Sequence, residues 1–353
     1  MEPRDPLPRI AVVNDVAGVG SIQARVLREA GYTVDFIDVP KPGATLPLYA
    51  KILILPLRLA GYVPIIRRLR RTPYAWLHIH FLSYGFLGVL AGKPFYLHAH
   101  GHDAHTNLRR PLIGWLSRFA MRRARAIFYV TPDLARFLGD FGDRSYLLPN
   151  PLEPSFFEGV TAPTRLEKLL LFTRLYPIKA PEVAFAATPE LSKLASLAAV
   201  AWGPLTDRFR EKYGRFVEFH ERVPHEEMPA VIDRFDAVIG QMRLGILSLS
   251  ELEAMARGRV VFMRLDTSLY PDDTPPVANV DDAASLVAAV RRLQNDPALM
   301  ARLAAEGRMW IARHHTAESH LRVLRSVFSR FDEGAAAGST KAKLPGHFKA
   351  REL

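Results

Sequence analysis

The sequence predicts an α/β protein of two halves, each a parallel sheet with helices on both faces. Three observations carry this. Short apolar, β-branched runs alternate with helical stretches along nearly the whole chain, which is the pattern of βα units. The alternation stops at a proline-rich stretch from Asn150 to Arg165 and then starts again. A chain of 353 residues, 49% of them hydrophobic, is long for one domain and comfortable for two.

The first half opens as a βαβ unit. Arg9 to Val13 reads as a strand, Gly18 and Gly20 as a loop, Ser21 to Ala30 as a helix stopped by Gly31, and Tyr32 to Val39 as the next strand. A dinucleotide fingerprint needs a third glycine three residues after Gly20, where Gln23 stands. Asp38 is well placed for a ribose contact, but the incomplete motif makes a nicotinamide cofactor a poor fit. Leu46 to Arg71 is apolar, broken by Pro56 and Pro64, and ends in Arg67, Arg68, Arg70 and Arg71. It reads either as an interfacial segment, with Leu53, Leu57, Tyr62 and Ile66 entering the interface, or as an amphipathic helix packed on the sheet. Strands follow at Trp76 to Phe81, Pro94 to Ala99, Ala126 to Val130 and Ser145 to Leu148, with a helix over Leu108 to Arg123.

The second series has strands at Lys168 to Phe172, Leu197 to Trp202, Phe216 to His220, Ala237 to Gly240 and Val260 to Leu265, then helices from Asp281 to Phe331. The expected organisation is therefore domain one over residues 1–150, a linker over 151–165, domain two over 166–332, and a polar, basic, disordered tail over 333–353.

Composition narrows the class. The absence of cysteine excludes a disulfide scaffold, a cysteine zinc site and a thiol nucleophile. Met1 to Pro8 is polar and proline-rich, unlike a signal peptide. No apolar run reaches the roughly 18 to 20 residues of a spanning helix. These features lead us to expect a cytoplasmic protein. The net charge is +11, and fourteen Lys and Arg lie between Lys41 and Arg125 against one acid, Asp103. Such asymmetry suits an anionic partner, a membrane surface or a nucleic acid. No aromatic-interleaved basic motif supports nucleic acid.

Three constellations carry chemistry. In Leu244 to Arg264, Ser248 and Glu251 have capping-box spacing, as do Ser250 and Glu253, and Gly258 sits where a helix ends. Backbone N–H groups at Leu247, Ser248 and Leu249 would face an anion. Glu253 and Arg257 can also be read as an exposed i,i+4 pair. Arg174 and Lys179 follow the first strand of the second half, where two cations can grip a diphosphate. His78, His80, His98, His100, His102 and His105 cluster in the first half. Strand alternation puts several on one face, so a metal set is conceivable. Only Asp103 could add a carboxylate, and packed histidines are the blander reading, above all for His78 and His98.

The run Ser250-Glu251-Leu252-Glu253-Ala254-Met255-Ala256-Arg257-Gly258, the Arg174-Leu175…Lys179 spacing and His100-Gly101-His102-Asp103 together resemble the family 4 glycosyltransferases. Val130-Thr131-Pro132, Leu148-Pro149-Asn150-Pro151 and Val223 to Met228 agree in order. The resemblance implies the GT-B fold, with two Rossmann-like domains facing each other across a cleft. It implies transfer, with retention, from a nucleotide-sugar such as a UDP- or GDP-sugar, with no cofactor and no metal. Glu253 would hold the ribose, Arg174 and Lys179 the diphosphate, and His100 the sugar. Gly18, Gly20, Asp103, Gly203, Val223, Gly245, Leu247, Ser248 and Leu249 would border the donor. The family has a second Glu where this chain has Gly245. Gln241 or Asp103 could substitute for it, or the protein could be inactive. The acceptor would be a glycan or a lipid-linked molecule, met at an anionic membrane by peripheral contact. The alternatives are a non-catalytic relative and a nucleotide-sugar epimerase on the same fold.

Overall fold

The computed structural model describes residues 7–42, 47, 50 and 53–331. The expected tail from Gly334 onward lies outside the described residues, as does part of the Leu46 to Arg71 segment. The first unit has six parallel strands: β1 (Arg9–Val13), β2 (Thr33–Ile37), β3 (Trp76–His80), β4 (Phe95–Ala99), β5 (Ile127–Tyr129) and β6 (Ser145–Leu147), in the order β2-β1-β3-β4-β5-β6. The second has β7 (Lys168–Leu171), β8 (Ser196–Val200), β9 (Glu218–His220), β10 (Ala237–Ile239), β11 (Val260–Met263) and β12 (Ala278–Asn279), in the order β12-β11-β10-β7-β8-β9. The central strands are buried on both faces, which is why they read as apolar runs, interrupted by histidines in β3 and β4. The two-residue β12 has no counterpart among the strands expected from the sequence.

In each sheet the winding reverses next to its first strand, between β1 and β3 and between β7 and β10. Loops at such a switch point diverge and leave a crevice at the carboxyl ends of the strands, where open sheets bind ligands.

The domain limits differ from expectation at both ends of the second unit, which runs Leu152–Thr316. The expected linker is packed rather than free: Leu152 and Phe156 are core residues of this unit. Arg257 and Arg259, almost fully buried, donate to the carbonyls of Glu158 and Thr161 and pair with Asp233. The last helix, Ala317–Phe331, does not complete the second unit but returns to the first. Its Leu324, Val327 and Phe328 join Ile10, Val12, Trp76, Tyr96 and Phe128 in one core, with the Phe328 ring 5.0 Å from Trp76 and 4.9 Å from Tyr96. Gln23, standing at the failed third glycine, is buried and hydrogen-bonds to His320 of this helix.

The prolines of the basic segment do not break it. Leu55–Arg71 is one helix, with Pro56 in its first turn, where a missing N–H is harmless, and Pro64 inside it. Ile65 and Leu69 are buried, and Tyr62 and Ile66 pack on the core. The last two therefore do not belong to an interfacial face. The exposed apolar set is Leu53, Leu55, Leu57, Leu59 and Val63. Among the described residues no helix is long and apolar enough to cross a membrane.

Candidate active site

The chemistry-bearing side chains of the second unit converge at its switch point. The loop after β7 carries Arg174 and Lys179, and the loop after β10 leads into the Leu249–Ala256 helix. The two loops are tied together: the Met242 N–H donates to the Lys179 carbonyl at 3.0 Å, and Lys179 Nζ donates to Ser248 Oγ at 2.9 Å. Ser248 is the helix cap. Glu251 is wholly buried and accepts from the N–H groups of Gln241 at 2.8 Å and Ser248 at 2.9 Å, so the Ser248/Glu251 box forms and the Ser250/Glu253 one does not. This places Leu247, Ser248 and Leu249 at the helix start, beside Lys179.

Glu253 is not half of an exposed helical pair. It is 4% exposed and takes a 2.8 Å hydrogen bond from His225 Nε2, while Arg257 pairs with Asp233 instead. Burial raises the Glu253 carboxyl above its usual range, and the His225 hydrogen bond pulls it part of the way back. The same bond raises His225, against its partial burial. His225 lies two residues beyond Val223, in the loop after β9. The Arg174 guanidinium lies 4.4 Å over the Trp202 ring, and Arg222 lies 4.5 Å from the same ring. Gly203, at φ 141, follows Trp202; a Cβ there would meet the Leu175 carbonyl oxygen at 2.6 Å. Only glycine lets this loop close on the Arg174 loop.

Gly245 is equally constrained. Its φ is 71, and a Cβ would meet the Asp266 Cβ at 2.7 Å. Gly245 bridges Leu265 in parallel, and the Asp266 N–H donates to its carbonyl at 3.0 Å. The family's glutamate does not fit here without moving Asp266. Gln241 is no substitute. Its Nε2 donates to the Ile246 carbonyl at 2.9 Å, and its Oε1 accepts from Arg243 and Leu244, so the amide is spent on holding the loop.

The first unit places Gly18 and Gly20 at its own switch point, where the Val19–Glu29 helix begins. Asn14 and Phe81, at the ends of β1 and β3, have φ 71 and 83, conformations that non-glycine residues hold only when their surroundings impose them. Asn14 Nδ2 donates to the His80 carbonyl at 3.1 Å. Asp38 accepts from the Asp15 and Val39 N–H groups. His100 caps the short Gly101–His105 helix and is 5% exposed, with Nε2 turned inward to His80 Nδ1 at 3.0 Å. Burial pulls its pKa down to about 3. Asp103 is wholly buried and accepts from the N–H groups of Leu82, His100 and Ala104. Burial raises it to about 7 despite those bonds, and it too is engaged in holding backbone. The more accessible imidazole is His102, exposed and stacked on Phe81 at 19°.

Sequence reasoning missed Trp202, Arg222 and Asp266, and saw His225 only as part of a loop. None sits in a local pattern; each meets its partner across the fold.

Two family models match the chain. The Glycosyltransferase Family 4 model covers residues 23–156 and the Glycosyl transferase-like model residues 186–326. No curated protein matches the chain. Solved structures do. The sucrose-phosphate synthase of Thermosynechococcus elongatus has a TM-score of 0.70 at 16% identity, covering 92% of this chain and 100% of that one. HepE of Anabaena, in complex with UDP and glucose, has a TM-score of 0.68 at 12% identity, covering 91% and 100%. A glycosyltransferase of Rickettsia africae has a TM-score of 0.66 at 13% identity, covering 95% and 100%. At such identities the likeness is one of fold, and that fold is GT-B. With a glycosyltransferase model on each unit and the GT-B fold across both, the chain belongs to the family 4-like glycosyltransferases.

Proposed function

We propose that this protein transfers a hexose from a nucleotide-sugar to an acceptor, with retention of configuration. The observation that carries this is the convergence, at one switch point of one unit, of Arg174, Lys179 on Ser248, and Glu253 on His225. Arg174, Lys179 and the Leu249 N–H at the helix start receive the diphosphate and stabilise the charge it gains as the sugar leaves, while the Ser248 N–H is taken by Glu251 and the Leu247 N–H by the Tyr270 hydroxyl. Glu253 accepts from the ribose, and Val223 and Gly203 border the nucleotide. Two fixed cations do for the diphosphate what magnesium does elsewhere. Added magnesium therefore changes the rate less than about twofold. The carboxylate that Gly245 lacks comes from Asp266, whose Cβ stands beside the position a Gly245 side chain would take. In the first unit, Gly18 leaves room for the donor, Gly20 lets the helix start close on the Asn14 carbonyl, and His102 takes the orienting role that His100, turned inward, is poorly placed to fill. HepE, solved with UDP-glucose, and TarM, solved with UDP and α-GlcNAc-glycerol, are consistent with a UDP-sugar donor.

A screen of UDP- and GDP-sugars by thermal shift, followed by product analysis with and without acceptor, tests the reading. One donor raises the unfolding midpoint and is consumed only with acceptor. Turnover without acceptor would indicate an epimerase, and no shift by any donor would indicate a non-catalytic relative.

The acceptor we propose is a glycan or a lipid-linked molecule presented at an anionic membrane face. Leu55, Leu57, Leu59 and Val63 are exposed on the helix that ends in Arg67, Arg68, Arg70 and Arg71, with Leu53 exposed just before it, and Leu112 and Trp115 are exposed on the basic Pro111–Arg123 helix. Each Lys or Arg near such a surface contributes about 1 kcal/mol. Wild type should sediment with anionic vesicles at low salt, and the variant with all four arginines changed to Ser should bind far less. Equal sedimentation of the two would remove this helix from the proposal.

A further inference from the structure

We propose that His78, His80 and His98 form a buried site for a transition-metal ion that takes imidazole ligands, separate from the donor site in the second unit. The strand register builds it. β3 and β4 are parallel neighbours with His80 opposite His98, and alternation puts His78, His80 and His98 on one face of the sheet. All three side chains are wholly buried. One ring nitrogen from each lies within 4.8 Å of those of the other two. Ring centroids are 5.1 Å apart for His78 and His80, 4.8 Å for His80 and His98, and 5.3 Å for His78 and His98.

Hydrogen bonding alone leaves this set short of partners. His78 Nε2 and His98 Nδ1 meet at 3.2 Å, and their other nitrogens, His78 Nδ1 and His98 Nε2, have no partner among the described residues. The two facing nitrogens are the ones an ion would take, each ring then keeping its proton on the outer nitrogen. A separation of 3.2 Å is also close to the edge of a tetrahedron of nitrogens around zinc, about 3.3 Å for metal–nitrogen bonds of about 2.0–2.1 Å. His80 turns Nδ1 to His100 and keeps a buried Nε2 that has no partner among the described residues. An outer hydrogen bond that fixes the tautomer and aims the other nitrogen is what metal-binding imidazoles usually have. Asn14, tied to the end of β3, leaves its buried Oδ1 without a partner at the same end of the sheet. A donor set of imidazoles without carboxylates selects zinc, cobalt, nickel or copper over magnesium or calcium. The ion joins two neighbouring strands beneath the loop that carries His100, so its role is to hold that loop.

The test uses the untagged full-length chain produced in zinc-supplemented medium, with metal content measured after gel filtration. The same chain is refolded with cobalt(II) and its visible spectrum recorded. Wild type should carry about one ion per chain, show the intense bands of low-coordinate cobalt, and unfold about 5 °C higher than the metal-free refolded protein. His80→Gln and His98→Gln should each lose the ion and the cobalt bands, while His225→Gln, an exposed imidazole of the second unit, should keep both. A wild type with no bound ion and only the weak spectrum of hexa-aqua cobalt overturns the site. So does undiminished metal content in folded His98→Gln and His80→Gln. Where a variant fails to fold by circular dichroism, the wild-type content and spectrum decide.

Discussion

The two sheets share strand number and winding, yet they handle polar groups at their carboxyl ends in opposite ways. In the first unit β3 and β4 enclose a layer of imidazoles that burial keeps uncharged, with Gln23 and His320 beside it. The second unit pairs charged ones: Lys179 with Ser248 and Glu253 with His225 at that end, and Arg257 and Arg259 with Asp233 at the amino ends of β10 and β11. The contrast teaches where a lost partner hurts most. A neutral hydrogen bond is worth about 1 kcal/mol net, whereas a buried charge left alone costs several times more.

The largest effect expected follows from that difference. Asp233→Ala strands two arginines whose side chains are 4% and 3% exposed and frees the segment they hold. Because Asp233 itself is about one-third exposed, the loss should be about 3 kcal/mol, near the low end for buried pairs. His320→Gln in the first unit removes bonds to Pro149 and Gln23 and should cost about 1 kcal/mol. Calorimetry of both variants measures the two; equal losses would dissolve the contrast.

Next come the cations of the second switch point. Arg174→Ala and Lys179→Ala each remove a charge-assisted contact of about 1.5 to 3 kcal/mol, or roughly 10- to 100-fold in donor affinity, without unfolding the unit. Asp266→Ala should lower transfer by about tenfold, as the loss of a single hydrogen bond to the sugar does. Donor titrations in which both cation variants match wild type would move the diphosphate elsewhere.

The smallest effect is a shift in pH dependence. Burial raises Glu253, and His225 opposes that rise. Removing His225 therefore sends the carboxyl further up, so it ionises only at higher pH. Donor binding by His225→Ala should lose its acid side at a higher pH than wild type does, with the plateau above that nearly unchanged. A profile displaced the other way, or not at all, would mean that the pair does not set the charge on Glu253.

What was legible in the sequence is what is local or two-sidedly apolar. Strands buried on both faces announce themselves, and so does the Ser248/Glu251 cap, whose two groups are three residues apart. Arg174 and Lys179 were legible because a strand end fixes where a loop lies. The His225–Glu253 pair spans 28 residues and the Asp266–Gly245 contact 21, and no spacing rule reaches across a loop, a helix or a strand to join them. The last helix showed an apolar face, but nothing in the pattern said which sheet that face would cover. Pro64 read as a break because an interior proline forfeits a backbone bond, yet the helix carries on through it.

The return of that last helix has a consequence for how the protein can be cut. Leu152, at the start of the second unit, donates its N–H to the carbonyl of His315, near the end, at 2.8 Å. The unit's entrance and exit are therefore side by side, and in genetic terms it is a cassette inserted into the first. It can be lifted out as one uninterrupted piece with adjacent ends, the arrangement that tolerates grafting and permutation. The first unit has no such freedom. A stop codon after Thr316 removes Leu324, Val327 and Phe328 from its core, so a C-terminal truncation that spares every residue of the donor site still unfolds the other half of the molecule.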